Sequence, residues 1–461
     1  MYAVASGALY SLAAHAPWGT VYVVPASGLD RWVPQVDAAV PVYLTYFLLL
    51  PALLLSGAAR QRLLPVMFAA CVTTGLCLLW HLCVPTRVLL TPPGDDTLGW
   101  LAWLRSLDSP FAALPSGHVA LPVSLALTLA NRRSSGAAAY AIWSAALAWA
   151  TIATGQHVMW DVLAGALLGT GVARLTLALE TRQVDLRSFG ALLGEWLVIS
   201  LAVVAAVRLD SAWIWCGSFL VIATRQHALF MLYHDAVHGL LARRPGVNDF
   251  LINAFAGVPL LLPVQIYRAL HLAHHRLLGT DADPERRYLY AGQRWRYQPL
   301  STARLCRQLL GDLLLVNGIR TIRAWHSAER MPAVHRLRSV WIPAAVWSGL
   351  VLGFCAASPR MTLQVIALLW LAPLLTLTNL LQKLRSFAEH SGGPGVTPGW
   401  DGWTYSWRPG CIGRLAIWPY NINLHREHHL NAQIPWHRLP QVIVPDAPQL
   451  SGRALRALLM A

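Results

Sequence analysis

The chain has 461 residues, of which 56% are hydrophobic and 12% are charged, whereas soluble proteins have roughly 45 to 50% apolar and about 25% charged residues. This composition excludes a soluble globular enzyme and indicates an all-α, polytopic integral membrane protein, because the apolar blocks are as long as the ~20 residues that a spanning helix needs. The formal net charge of +15 is typical of arginines at the cytoplasmic membrane surface, so we expect no nucleic-acid partner.

The apolar blocks predict two tandem helical bundles, at 1–180 and 190–461. The candidate spanning segments are 38–59, 63–84, a stretch from about His118, 137–153, 158–179, 191–207, 212–231, 340–357 and 361–381. A further apolar stretch at 250–267 contains prolines, so we expect it to dip into the membrane without crossing.

Arginine pairs in alternate loops predict the orientation. They are Arg60 and Arg62, Arg132 and Arg133, and Arg182 and Arg187. By the positive-inside rule these loops are cytoplasmic, as is the long stretch 232–339, which is rich in arginine and histidine.

Two short motifs in the N-terminal part predict phosphoryl transfer. Ser116 and Gly117 precede a helix whose N-terminal N–H groups can bind a phosphate. His118 is then the general acid, and His157 is the nucleophile that forms a phosphohistidine. Asp161 follows His157 by four residues, so on a helix its carboxylate would orient the imidazole.

These motifs resemble the type 2 phosphatidic acid phosphatase superfamily, and 83–169 is most similar to its inositol phosphorylceramide synthase branch. The resemblance implies a cationic phosphate ligand, for which Arg87 is the candidate, and an arginine at the position of Thr151, which this chain lacks. Water and a lipid hydroxyl both remain open as phosphoryl acceptors. The alternative is that both histidines cap helices at the interface and that Asp161 pairs with a neighbour.

Three histidine-rich boxes in the C-terminal part predict a metal centre. Spacings of three and four residues put the rings of one box on one helical face, and eight imidazoles exceed what one four-coordinate zinc uses, so two metal ions are implied. The boxes contain His234 and His238, then His271, His274 and His275, and finally His425, His428 and His429.

The boxes resemble the membrane fatty acid desaturase and hydroxylase superfamily over about 191–440, together with the segment 280–284 and the pair Glu389-His390. The resemblance implies that the eight histidines hold two iron ions, with His390 as a ninth ligand, and that O2 is the co-substrate. It also implies a membrane lipid substrate whose unactivated C–H bond is oxidised.

Three expected crossings between His157 and His234 put the phosphatase-like site and the di-iron site on opposite membrane faces, with the di-iron site at the cytoplasmic face. The sequence contains no haem or flavin module, so we expect electrons from a separate ferredoxin-like or cytochrome-like donor and its reductase. The favoured interpretation is a bifunctional lipid-modifying enzyme, an acyl-lipid desaturase joined to a lipid phosphatase or phosphotransferase. The alternative is an acyl-lipid hydroxylase whose N-terminal half is a non-catalytic scaffold that binds lipid phosphate.

Overall fold

The computed structural model describes residues 20–48, 62–89, 98–107, 111–130, 137–280, 282–285, 301–326, 337–390, 404–443 and 449–450. Over these residues the chain is mainly helical, as the composition predicts. The chain forms two compact units, Met1–Thr181 and Arg182–Ala461.

The N-terminal unit is a helical bundle with one small sheet. Its α-helices are Ala39–Leu44, Leu63–Cys83, Trp100–Leu107, Gly117–Ala130, Ala137–Ala153 and Met159–Thr181, with 3-10 turns at Gly28–Trp32 and Thr45–Leu48. The strands Tyr22–Val24 and Thr86–Val88 pair in parallel, with Val23 opposite Arg87.

Glycines allow two helices of this unit to pack closely. A Cβ atom at Gly165 would lie 2.5 Å from the carbonyl oxygen of Ser116, and one at Gly169 would clash with that of Ala120. The helix Met159–Thr181 therefore supports the turn that carries the first motif.

The C-terminal unit is built from longer helices. Its α-helices are Leu186–Leu209, Ala212–Val237, Pro245–Ile252, Val264–Leu277, Thr302–Leu313, Leu315–His326, Arg338–Ala357, Pro359–Gln364, Asn379–His390, Cys411–Ala416 and His425–Leu430. Short 3-10 turns occur at Pro419–Asn421 and Leu439–Gln441, and Ser406–Trp407 pairs in parallel with Gln449–Leu450.

Within the described part of this unit, three π-helical segments interrupt the helices, at Asn253–Gly257, Val365–Leu371 and Leu374–Thr378. The last two lie within one continuous helical stretch, Pro359–His390. Such segments change the facing of the residues that follow them and often occur at functional sites.

Five helical stretches of the described residues are long and apolar enough to cross a membrane. They are Leu63–Cys83, Met159–Thr181, Leu186–Leu209, Arg338–Ala357 and Pro359–His390. The helices Gly117–Ala130 and Ala137–Ala153 are apolar but shorter. The all-α polytopic class is thus confirmed.

Three predicted segments differ in detail. The predicted span 212–231 lies in the helix Ala212–Val237, which is not among the five apolar stretches. Of 38–59, the structure describes the helix Ala39–Leu44 and the turn Thr45–Leu48, and the remainder lies outside the described residues. The proline-containing stretch 250–267 forms no single helix, because helical structure stops after Gly257 and resumes at Val264.

Candidate metal centre and phosphate site

The two N-terminal histidines lie close together in the structure. The ring centroids of His118 and His157 are 5.8 Å apart. Tyr43 and Tyr46 lie against His118, with ring centroids at 4.5 and 4.4 Å. The helix Gly117–Ala130 starts one residue before His118, so the ring lies at the helix N-terminus, where backbone N–H groups can bind an anion.

His157 and Asp161 are in contact, but the predicted helical arrangement is wrong. The helix begins at Met159, so His157 precedes it. The Asp161 side chain turns back, accepts the N–H of Val158 at 3.1 Å and lies 3.3 Å from Nδ1 of His157. The contact forms because the carboxylate points back toward the residues that precede the helix. Since Nδ1 of His157 faces Asp161, Nε2 is the nitrogen that can attack.

The turn before His118 is anchored on both sides. The Ser116 N–H donates to the Asp161 carbonyl at 3.0 Å, and Nε2 of the buried His81 donates to the Pro115 carbonyl at 3.1 Å. The Ser116 hydroxyl is buried and has no hydrogen-bond partner among the described residues. The sequence gives no signal of the contact made by His81, since no spacing relates this residue to the motif.

Two arginines are candidates for the phosphate. Arg87 lies on the strand Thr86–Val88 with its side chain exposed. Arg105 donates from Nη2 to Oε1 of Gln35 at 2.8 Å and to the Thr154 carbonyl at 3.4 Å. The guanidinium of Arg105 is therefore held beside Thr154, which precedes His157 by three residues in the chain. No sequence motif identifies Arg105.

The nine predicted metal ligands lie on four helices, with one of them, His238, directly after a helix end. His234 lies on Ala212–Val237, and His238 follows that helix. Three histidines lie on Val264–Leu277, three on His425–Leu430, and His390 is the last residue of Asn379–His390.

The first group of imidazoles, here called cluster A, contains His234, His238, His271, His275 and His428, which each offer one ring nitrogen within 4.8 Å of the others. Nε2 of His271 lies 3.1 Å from Nε2 of His238 and 2.9 Å from Nε2 of His275. Each of the three boxes contributes to this cluster.

The second group, cluster B, contains His274, His390, His425 and His429. Nε2 of His390 lies 3.2 Å from that of His274 and 3.0 Å from that of His425. Nε2 of His429 lies 3.1 Å from that of His425. All nine predicted ligands therefore fall into two neighbouring clusters, and His390 joins the second.

The donor geometry fits metal ions. Metal–imidazole bonds of about 2.1 Å put two ligand nitrogens at right angles about 3.0 Å apart, which is the spacing seen in both clusters. Both ring nitrogens of His234 and of His428 are buried and lack a hydrogen-bond partner among the described residues. Buried imidazoles without partners are costly unless a metal binds them.

Burial favours the neutral form of three of these rings, which is the form that binds metal. Burial and the neighbouring His238 and His274 lower the pKa of His275 to about 2. Burial and the nearby imidazoles likewise lower the pKa of His428 and His429.

Carboxylates lie beside both clusters, and one of them is within hydrogen-bond distance of a ring. Asp283 lies 2.9 Å from Nδ1 of His274, and Glu285 lies 3.6 Å from Nδ1 of His271. Burial opposes the charge on His274, but Glu285 and Asp283 outweigh burial and raise its pKa to about 9. Such carboxylates fix the tautomer of a metal-bound imidazole and increase its basicity.

Glu389 is a further acidic group at cluster B. Its Oε2 atom lies 3.5 Å from Nδ1 of His425 and pairs with Arg385 one helical turn away. In the sequence, Glu389 and Asp283 stand out only through the family resemblance. Their separation in sequence from the histidines that they contact does not predict these contacts.

Other histidines bind the backbone or outer carboxylates. Nε2 of His227 donates to the Ile417 carbonyl at 2.9 Å, and that of His326 donates to the Leu261 carbonyl at 2.8 Å. His437 contacts Asp185 at 3.1 Å. None of these three rings belongs to either cluster.

Comparisons with known proteins identify both parts of the chain. The model of the fatty acid desaturase family matches residues 211–456, which is more than half of the chain. The model of the PAP2 superfamily matches residues 59–185. The predicted order of the two domains is thus confirmed.

Three curated proteins are similar to parts of this chain. A dihydrorhizobitoxine desaturase of Bradyrhizobium elkanii is 27% identical over 266 residues, covering 53% of this chain and 73% of its own length. A sphingolipid delta(4)-desaturase of Candida albicans is 25% identical over 234 residues, covering 49% and 60%. An sn-1 acyl-lipid omega-3 desaturase (ferredoxin) of Nostoc is 31% identical over 106 residues, covering 23% and 29%. No solved structure matches the chain significantly.

Proposed function

Because the chain belongs to the fatty acid desaturase family and carries an N-terminal PAP2 superfamily domain, we propose that it is a bifunctional lipid-modifying membrane enzyme. The C-terminal unit desaturates an acyl chain in a lipid with O2. The N-terminal unit hydrolyses or transfers a lipid phosphate.

The observation that carries the desaturase proposal is the division of nine imidazoles into clusters A and B. We assign the two clusters to two iron ions, which when bound supply the O2 chemistry that side chains lack. The nine imidazoles would hold the ions, while Asp283 holds the Nδ1 proton of His274 and Glu285 lies 3.6 Å from Nδ1 of His271. The aromatic ring of Tyr267 stacks on His271 at 5.2 Å and shields one side of cluster A from water.

The electron balance of desaturation requires a partner. One O2 molecule takes two hydrogens from adjacent carbons, two electrons and two protons, and the products are a double bond and two water molecules. We propose a separate ferredoxin-like or cytochrome-like donor with its reductase. The name of the Nostoc relative, which includes ferredoxin, favours the former.

Product mass tests this proposal. The full-length protein is reconstituted with iron, ferredoxin, its reductase and labelled phospholipid. We expect an acyl product that has lost two hydrogens, and no product from His271→Ala. The matched control is His326→Ala, whose ring lies outside both clusters. A gain of one oxygen would identify a hydroxylase instead, and turnover that persists in His271→Ala would refute the metal assignment.

For the N-terminal unit we propose that Nε2 of His157 attacks the phosphorus of a lipid phosphate and forms a phosphohistidine. His118, whose ring lies 5.8 Å from that of His157, protonates the leaving oxygen. Ser116 and Gly117 bind the phosphate at the helix N-terminus, and Arg87 is the cationic ligand that the family resemblance suggests. A water molecule or a lipid hydroxyl then attacks the phosphorus, and the P–N bond breaks.

Labelled phosphatidic acid tests this second activity. We expect phosphate release or transfer from the unaltered protein and none from His157→Ala. The exposed side chain of Arg87 and the threonine at position 151 favour one alternative, a scaffold that binds lipid phosphate without reacting. Release that is unchanged in His157→Ala would support the scaffold and end the catalytic proposal.

We also propose a sidedness for each site. The arginine-rich loops next to the histidine boxes favour a cytoplasmic face for clusters A and B, and the loop with Arg132 and Arg133 favours the opposite face for His118. Cysteine introduced beside each site and labelled with an impermeant maleimide in oriented vesicles tests the two assignments separately.

A further inference from the structure

A small, partly open cavity lies in the C-terminal unit near cluster A. Phe230 and Trp325 line it, and their rings lie 5.1 and 5.7 Å from that of Tyr267. Tyr267 in turn stacks on His271 at 5.2 Å. One aromatic ring therefore separates the cavity wall from a histidine of cluster A.

One side of the cavity is polar, because amide and hydroxyl side chains line it. Gln226 and Thr378 line it but are already satisfied, since the Gln226 amide donates to the Trp370 carbonyl at 2.9 Å and its oxygen lies 2.9 Å from the Thr378 hydroxyl. Asn379 and Gln382 also line the cavity. They are 8% and 6% exposed, and their amide NH2 groups have no hydrogen-bond partner among the described residues.

The side-chain amides of Asn379 and Gln382 are neighbours and can bind one ligand together. They are three residues apart on the helix Asn379–His390, so their side chains lie on the same face. The helix belongs to the apolar stretch Pro359–His390, which is long enough to cross a membrane. An unsatisfied amide in such surroundings is costly, and a cavity next to two of them suits a ligand that carries an oxygen acceptor.

We propose that Asn379 and Gln382 bind a carbonyl or hydroxyl oxygen of the lipid substrate inside this cavity. The inference rests on the proposed desaturase function and specifies its substrate class, a lipid whose polar group enters the protein interior together with the chain. Gln382 and Asn379 precede His390 by eight and eleven residues, or about 12 and 16 Å along the helix axis. Binding of the oxygen therefore places the polar group about 12 to 16 Å along this helix from His390 of cluster B.

A binding experiment without iron or an electron donor tests the inference. Radiolabelled methyl palmitate and octadecane, which are chains of equal length with and without a carbonyl, are titrated into the full-length protein in nanodiscs, with protein-free nanodiscs subtracted. We expect the protein to prefer methyl palmitate at least tenfold, equivalent to about 1.4 kcal/mol. The preference should vanish in Asn379→Leu/Gln382→Met, which keeps side-chain size and removes both amides.

The matched control is Thr321→Val, because Thr321 lines the same cavity but already donates to the Asn317 carbonyl at 2.9 Å. Its preference should be unchanged. Either single variant, Asn379→Leu or Gln382→Met, should lose part of the preference, which keeps the test decisive if the double variant does not fold. Equal binding of both probes by the unaltered protein, or a full preference in the variants, would overturn the inference.

This outcome is separate from that of the proposed function. If desaturation fails but the carbonyl preference is present and depends on the amides, the binding site stands without the reaction. If desaturation occurs and the preference is absent, only the binding site is wrong.

Discussion

Nε2 of His274 lies 3.2 Å from Nε2 of His390, although 116 residues separate these histidines in the chain. His274 lies in the middle box and His390 at the end of the long helical stretch Pro359–His390. The contact joins a residue outside the three boxes to cluster B. The role of His390 as a metal ligand can therefore be tested by measuring the metal content of a variant.

His390→Ala is expected to lower bound iron from about two ions to about one per chain, because cluster B loses one of its four imidazoles while cluster A keeps all five. Iron content of the purified protein, measured by plasma mass spectrometry, checks this. His326→Ala serves as the control, since that ring binds the Leu261 carbonyl. Full iron content in His390→Ala would contradict the role of this residue.

Asp283→Asn is expected to weaken metal binding about 10- to 100-fold, because the carboxylate lies 2.9 Å from Nδ1 of His274 and fixes its tautomer. Competition between the protein and a chelator of known affinity measures the change. Asp185→Asn is the matched control, an aspartate that contacts a histidine outside both clusters. Equal metal affinity in both variants would mean that Asp283 has no part in holding the ion.

Asp161→Asn is expected to reduce kcat for phosphate release by about 10² to 10⁴, because an amide no longer holds the correct tautomer of His157. The initial rate with labelled phosphatidic acid checks this. A nearly unaltered KM would separate loss of orientation from loss of binding. A rate equal to that of the unaltered protein would argue that the contact is structural.

Gly165→Ala is expected to impair the N-terminal activity and to destabilise the protein by about 1 to 3 kcal/mol, because the new methyl group would meet the Ser116 carbonyl at 2.5 Å. Chemical denaturation and the rate of phosphate release measure the two effects. Gly171→Ala on the same helix is the control, since a Cβ there meets nothing within 4 Å. Similar behaviour of both variants would show that close packing under Ser116 is not needed.

Asp185→Ala is expected to destabilise the C-terminal unit by about 1 kcal/mol, because Asp185 caps the helix Leu186–Leu209 by accepting from Ser188 at 3.2 Å. Its carboxylate also binds His437 at 3.1 Å. Thermal unfolding in detergent checks this loss, and Asp185→Asn should retain most of the cap. If both variants unfold alike, the cap itself contributes little.

The same residue predicts a pH dependence. Burial opposes the charge of Asp185, but hydrogen bonds from His437 and Ser188 outweigh burial and lower its pKa. A lowered folded-state pKa gives stability that is present above the ordinary value of about 3.9 and is lost as the pH falls below it. The difference in unfolding temperature between Asp185→Ala and the unaltered protein should therefore shrink below about pH 4, and a constant difference would contradict this.

The sequence predicts best those features that depend only on neighbouring residues. Apolar blocks predicted the helices that end at Cys83, Thr181 and Ala357 within a few residues, since the hydrocarbon thickness fixes their length. It failed at His157, because the helix start depends on where Asp161 turns its side chain.

The sequence by itself determined that this is a helical membrane protein with two motif sets, because composition, segment length and the spacing within each histidine box are properties of neighbouring residues. Only the tertiary structure decided how nine imidazoles divide between clusters A and B, that Asp283, Glu285 and Glu389 surround them, and that Asn379 and Gln382 line a cavity nearby. These relations join residues far apart in the chain. They depend on how the helices pack and on π-helical turns that change the facing of the last long helix, and no local spacing encodes either.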